Sequence, residues 1–251
     1  MKIINKQIMQ LVLDLGAHKL EGLKILLNQK IVKEDSIVFS LEANPFIFSD
    51  VLESNICEEL NMKYPNLMLN YLNLAVSKKS GFEKINCGAI TFKPSYFFVN
   101  SLSNSIKKLG QSIDLFKNYA RYKLKAKLHV GQHSNILKNP PTKFLEVDDS
   151  NYIQKIIPSI SLKDLINEAL KKIKISSSIH LTIKIDIEGA EYQVLEEFIK
   201  TYDEFKKFKR INFFVEWHEG YYENKSETMQ KKEKIKSFLQ KIPNVVINDW
   251  M

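Results

Sequence analysis

An α/β domain built on a mainly parallel sheet is the fold the sequence predicts. Three observations lead there. Short apolar runs alternate with segments of helical period, glycine or Asn-Pro punctuates the early runs, and acidic residues stand at the carboxyl ends of several of them. Strands that alternate with helices imply right-handed crossovers, and such crossovers place the strands side by side and parallel.

The first run, Gln10-Leu11-Val12-Leu13-Asp14-Leu15-Gly16, reads as a buried strand ended by glycine. Residues Lys19 to Lys30 follow as a helix whose apolar face is Leu20, Leu23, Ile25, Leu26 and Leu27. Ile37 to Glu42 is a second strand, stopped by Ala43-Asn44-Pro45. A helix from Phe46 to Met62 precedes Pro65, and Leu67 to Val76 reads as the third strand. From Ser77 to Ser177 the rhythm is interrupted. A helix is expected at Asp114–Lys127, a loop at Asn139-Pro140-Pro141, and a capped helix from Ser161 to Lys174. Alternation resumes with the strand Leu181–Ile187, the helix Ala190–Tyr202, the strand Ile211–Trp217 and the helix Ser226–Lys241. Val245-Val246-Ile247 is the last strand. The expected organisation is one Rossmann-like domain with residues 77–177 inserted between its third and fourth strands.

Composition narrows the class. Of the 251 residues, 44% are hydrophobic and 26% charged, which excludes disordered and fibrous chains. The apolar runs fall far short of the ~20 residues of a membrane span. The start, Met1 to Gln7, lacks the apolar core of a secretory signal. Two cysteines, Cys57 and Cys87, fit a reducing compartment, so a cytoplasmic location is expected. The net charge is +8, yet only Arg121 and Arg210 of the 37 basic residues are arginines, and arginine is the preferred fork for phosphate. The charge is concentrated: Lys93 to Lys143 holds ten basic residues against the single acid Asp114. Such a block suggests an anionic partner or substrate, and a solvated helical face is the alternative.

Four constellations carry chemistry. Asp14-Leu15-Gly16-Ala17-His18 lies where the first strand turns into the first helix, and its glycine allows close approach of a ligand. The dinucleotide fingerprint G-x-G-x-x-G is absent, because the next glycine is Gly22. Asp14 would repel a pyrophosphate and suits an ammonium or sulfonium. Glu42 ends the second strand, where an acid accepts the hydroxyls of a ribose. Together the two acids describe a pocket for a nucleoside with a cationic amino-acid tail, S-adenosylmethionine. Ala75-Val76-Ser77 would close the third strand beside the adenine.

The third constellation is Lys184-Ile185-Asp186-Ile187-Glu188-Gly189-Ala190-Glu191. In a strand, alternate residues share a face, so Lys184 and Asp186 line one side and Ile183, Ile185 and Ile187 the other. Glu188 and Glu191 fall at the start of the next helix, where its dipole favours acids. The fourth, Phe213-Phe214-Val215-Glu216-Trp217-His218, ends a buried strand in a carboxylate, an indole and an imidazole, and histidine titrates where a general base is useful. His129, His133 and His180 show no metal-ligand spacing, and no metal site is expected.

In this order the four stations resemble the FkbM family of S-adenosylmethionine-dependent methyltransferases. Asp14 to His18 is similar to its first motif, Ser40-Leu41-Glu42-Ala43-Asn44-Pro45 to its second, Lys184 to Glu191 to its hallmark octet, and Glu216-Trp217-His218 to its later acid-x-histidine. Leu20 stands where the family usually has a further glycine. The resemblance covers residues 10–76 and 158–220 and implies a class I, Rossmann-like fold and methylation of hydroxyl oxygens on small molecules or glycans. It implies cofactor binding by Asp14, Gly16, Ala17, His18, Glu42, Ala43, Asn44, Ala75 and Asp186, and catalysis by Asp186 or His218 as base, with Glu216 and Lys184. The basic segment would recognise an anionic acceptor. Three alternatives stand beside this reading: a nucleic-acid 2′-O-methyltransferase, a non-catalytic cofactor- or glycan-binding module, and a nicotinamide-dependent dehydrogenase, the last disfavoured by the missing glycine fingerprint.

Overall fold

The computed structural model describes residues 10–88, 152–171, 179–219, 222 and 224–250. Its principal sheet is built from β1 (Gln10–Leu15), β2 (Ile37–Leu41), β3 (Met68–Leu72), β7 (His180–Ile185), β8 (Arg210–Val215) and β9 (Val245–Asp249), in the order β3-β2-β1-β7-β8-β9. Every pairing in it is parallel. A second sheet joins β4 (Ala75–Ser77), β6 (Tyr152–Ser161) and β5 (Gly81–Gly88), with β5 antiparallel to β6. The helices are α1 (Glu21–Asn28), α2 (Pro45–Glu53), α3 (Ile56–Lys63), α4 (Leu162–Lys171), α5 (Glu191–Lys200) and α6 (Lys225–Gln240). The fold is therefore the expected α/β, Rossmann-like architecture.

A parallel strand in mid-sheet is covered on both faces, so it reads as a continuous apolar run. In β1 all six residues are buried. Leu11, Leu13 and Leu15 join a core shared with α4, α5 and α6, whereas Val12 joins the opposite layer with Leu23, Leu26 and Leu27 of α1 and Ile47 and Val51 of α2. The connections from β1 and β7 thus leave toward opposite faces of the sheet. Such a switch point is where doubly wound folds carry a crevice, at the carboxyl edge between the two strands.

The boundaries differ from the expected ones in instructive places. The run Leu67–Val76 is two strands in different sheets. Asn73 divides it, donating its side-chain amide to the carbonyls of Glu42 and Ala43. The helix Phe46–Met62 breaks after Glu53, where the Ser54 hydroxyl donates to the Val51 carbonyl and Ser54 itself is extended. Both β7 and β8 stop two residues before the sequence pattern does, which leaves Asp186 and Glu216 just beyond the ladder. The expected cap at Ser161 is present, its hydroxyl accepting from the Asp164 amide. The basic block 93–143, the helix at 114–127 and the loop at 139–141 lie outside the described residues. Among the described residues no helix is long and apolar enough to cross a membrane.

Leu20, standing in place of a family glycine, adopts the left-handed conformation that glycine favours (φ 63°) while its side chain is fully buried. The packing of this side chain outweighs a backbone cost of about 1 kcal/mol. Leu20→Ala and Leu20→Gly both lose that packing, worth ~2–5 kcal/mol, but only the glycine relieves the backbone. Urea unfolding should therefore show the glycine variant more stable than the alanine variant, the reverse of their helix propensities. The opposite order would mean that the dihedral carries no strain.

Candidate active site

The site is built where β1, β2, β7 and β8 end. Register sets its first layer: Asp14 lies opposite Ser40 of β2 and Lys184 of β7, and Lys184 opposite Phe214 of β8. Side chains in one such row share a face. The Ser40 hydroxyl donates to Asp14 Oδ2 at 3.1 Å, and Lys184 Nζ lies 3.4 Å from Asp14 Oδ1. Lys184 Nζ also donates to the Gly16 carbonyl at 2.9 Å and to Asp186 Oδ2 at 3.1 Å. Its side chain is 3% exposed and that of Asp14 is 0% exposed. Burial favours the neutral amine, yet the two carboxylates outweigh it and raise the Lys184 pKa, so it remains a cation. Burial pushes the Asp14 carboxyl up, against Lys184 and Ser40.

Two glycines make this packing possible. A Cβ on Gly16 would stand 1.7 Å from the Asp186 carbonyl oxygen, and Gly16 has φ 74°. A Cβ on Gly22 would stand 2.6 Å from Cε of Lys184, so Gly22, two places beyond the family position, makes room for the lysine. The Gly16 and Ala17 amides both donate to the Leu41 carbonyl, which ties the turn to β2.

On the β2 side, Glu42 is buried and accepts from the His18 amide at 2.8 Å and the Asn44 amide at 2.7 Å. Burial raises its pKa, opposed by those amides and by His18. His18 lies within 3.0 Å of Glu21; burial works against its imidazolium, but Glu21 and Glu42 outweigh it and raise the pKa. The Tyr71 hydroxyl donates to the His18 carbonyl. Asn44 caps α2 through the Phe46 amide, with Pro45 at the first helical position and Ala43 packed against the core.

On the β8 side, Glu191 is fully buried at the start of α5. It accepts from the Gly189 amide at 2.7 Å and the His218 amide at 2.8 Å. Its Oε1 lies 3.5 Å from His218 Nδ1, while His218 Nε2 faces Glu216 Oε1 at 3.6 Å and Asp186 Oδ1 at 3.7 Å. Burial opposes the charge on His218, but Glu191, Glu188 and Asp186 overcome it and push the pKa up to about 9. Glu216 is raised by burial and by Asp186, against His218 and Lys184. Asp186, Glu216 and His218 form the one group among the described residues whose donor atoms all lie within 4.8 Å of one another, as metal ligands do. Linear spacing concealed it because its members leave two strands.

Two expectations are corrected. Asp14 is not at the rim: it lies beneath the turn with Lys184 as its counter-ion, because the row it shares with Ser40 and Lys184 is covered by α1. Ala75 does not end a strand of the main sheet but pairs with Ser159 in the second one, fully buried. The acids around His218 raise its pKa to about 9, so they favour its protonated form. Lys184, Asp186, Glu216 and His218 do converge. Sequence reasoning missed Tyr71 and Asn73, named Ser40 only within its motif, and read Glu191 chiefly as an acid favoured at a helix start; Ser40, two residues before Glu42, also carried a signal through its period-two spacing.

An open parallel sheet with a switch point between β1 and β7 and acids gathered at its carboxyl edge defines a doubly wound α/β domain, a class in which ligands bind beyond the carboxyl ends of the strands. The chain belongs to the FkbM methyltransferase family: a family model described as the Methyltransferase FkbM domain matches residues 14–242. No curated protein and no solved structure matches it.

Because His218 binds its proton more tightly folded, at about 9, than unfolded, at ~6.5, protonation stabilises the protein. That contribution is complete below pH ~6.5 and is lost as pH rises through about 9, on the order of 3 kcal/mol in all. The stability difference between wild type and His218→Gln, measured by urea unfolding in chelator-treated buffer, should shrink across that interval. A flat difference would show a neutral imidazole.

Proposed function

We propose that this methyltransferase uses S-adenosylmethionine to methylate a hydroxyl oxygen of a small molecule or glycan, and that the acceptor is anionic. The observation that carries the reading is Asp186: one oxygen is anchored by buried Lys184, and the other faces the rim between Glu216 and His218, above the switch point. The donor set fits the cofactor. Acids outnumber cations around the crevice, as a ligand bearing a sulfonium and an ammonium requires. When bound, S-adenosylmethionine supplies a methyl group that an oxygen nucleophile displaces from sulfur, forming C–O and breaking C–S with its electron pair left on sulfur.

The chain's own residues do the rest. The Gly16-Ala17-His18 turn would line the methionine end of the site. Glu42 would accept ribose hydroxyls, for its oxygens retain acceptor capacity beyond the two amides they hold. Asp14 acts from below, by holding Lys184. An alcohol is a weak nucleophile until it loses its proton. Asp186 Oδ1 is placed to receive that proton, and Lys184 fixes the carboxylate's orientation. His218 and Glu216 would position the acceptor.

The charge of the sequence segment 93–143 supports an anionic acceptor, and we assign residues 77–177 as an inserted region of a single domain that recognises the acceptor. Lys184 is enclosed by Asp14, Asp186 and the Gly16 carbonyl, so it does not reach a ribose, which favours a small acceptor over RNA.

Calorimetry with S-adenosylmethionine should show binding by wild type and by Asp186→Asn alike. Transfer of labelled methyl to hydroxyl acceptors should fall by ~10²–10⁴-fold in that variant. Absence of cofactor binding in the folded wild type, or an unchanged rate in the variant, would overturn the assignment.

A further inference from the structure

We propose that Asp186, Glu216 and His218 form a binding site for one divalent first-row metal ion at the carboxyl edge of the sheet. Role aside, the site stands on geometry alone; only its use on the acceptor rests on the methyltransferase reading given above.

The distances are the first ground. His218 Nε2 lies 3.6 Å from Glu216 Oε1 and 3.7 Å from Asp186 Oδ1. Both separations are long for direct hydrogen bonds. Ligands ~2.1 Å from a four-coordinate ion stand ~3.4 Å apart, so small side-chain movements would complete a shared shell. One donor comes from each of three side chains on two adjacent strand ends, and all their donor atoms lie within 4.8 Å.

The second ground is the outer shell. A metal-bound histidine usually gives its other ring nitrogen to a carboxylate, which fixes the ring. Here fully buried Glu191 sits 3.5 Å from Nδ1 and also holds the His218 backbone amide. Asp186 is fixed in a parallel way, its Oδ2 held by Lys184 so that Oδ1 turns toward the other two donors. The donors come from the ends of β7 and β8, and the groups that aim them from β7 and the start of α5.

Accessibility is the third. His218 is only 10% exposed, whereas Asp186 and Glu216 are 28% and 36% exposed, so one side of the cluster is open to solvent. Three protein ligands with an open side leave positions for water or a substrate oxygen. Two carboxylates and an imidazole, with no thiolate, suit ions such as Mn²⁺, Fe²⁺ or Zn²⁺. An acceptor hydroxyl at an open position would be oriented by the ion and its O–H bond weakened.

The test uses the full chain, freed of metal by chelator and titrated with Mn²⁺ alone, followed by the electron paramagnetic resonance signal of the free ion. Saturable binding of one equivalent is expected, weakened at least 10-fold in Glu216→Gln and in His218→Gln, as loss of a ligand requires. Circular dichroism checks that each variant is folded, and Asp186→Asn replaces either one that is not. No saturable binding by the folded wild type, or equal affinity in the variants, overturns the site. Calorimetry with S-adenosylmethionine on the same samples separates the two proposals: cofactor binding without Mn²⁺ binding overturns the metal site alone, and Mn²⁺ binding without cofactor binding upholds it while overturning the cofactor reading.

Discussion

A lysine enclosed in the middle of the sheet sets the terms for the whole site. Lys184 spans Asp14, the Gly16 carbonyl and Asp186, and is almost out of contact with solvent. A charge so placed is tolerable only when opposite charges and acceptors surround it, and removing one partner of such a set typically costs ~3–5 kcal/mol. The surroundings have adapted to it. Gly22 leaves the space its chain fills, and Gly16 lets the turn after β1 lie against the backbone of Asp186. The β1–β7 junction is therefore fixed from both strands, and Asp186 inherits its position from that junction.

Around it, the acids divide into two kinds. Glu42 and Glu191 lie on opposite sides of the crevice and behave alike: each is buried, and each accepts two backbone amides from the loops it serves. They hold loops in shape. Asp186 and Glu216 are partly exposed and look into the crevice. The loops so held include residues in the left-handed region, His18 and Leu20 after β1 and Glu188 after β7. Strained backbone of this sort persists only where its surroundings over-determine it, and the buried carboxylates, with the Tyr71 hydroxyl on the His18 carbonyl, provide that restraint.

Much of this was legible in the chain. Apolar runs and their punctuation located the strands of the principal sheet, because a strand covered on both faces must be apolar throughout. Period-two spacing placed Lys184 and Asp186 on one side. The errors have physical causes. Leu67 to Val76 is apolar enough for one strand, but Asn73 bonds to the loop after β2 and the chain enters a second sheet, so Ala75 is not part of the principal one. Asp14 was expected to meet a ligand's charge, and a lysine 170 residues later in the chain meets it instead.

What the sequence determined by itself is local: which segments form strands and helices, and which side chains stand near the strand ends. Periodicity and turn chemistry act over a few residues and are written in order along the chain. Tertiary structure alone decided which ends are neighbours. Strand order put β7 between β1 and β8, and that adjacency converts Asp14, Lys184, Asp186, Glu216 and His218 from separate motifs into one electrostatic unit. Charge, protonation and ligand geometry depend on distances through space, and no spacing along the chain encodes them.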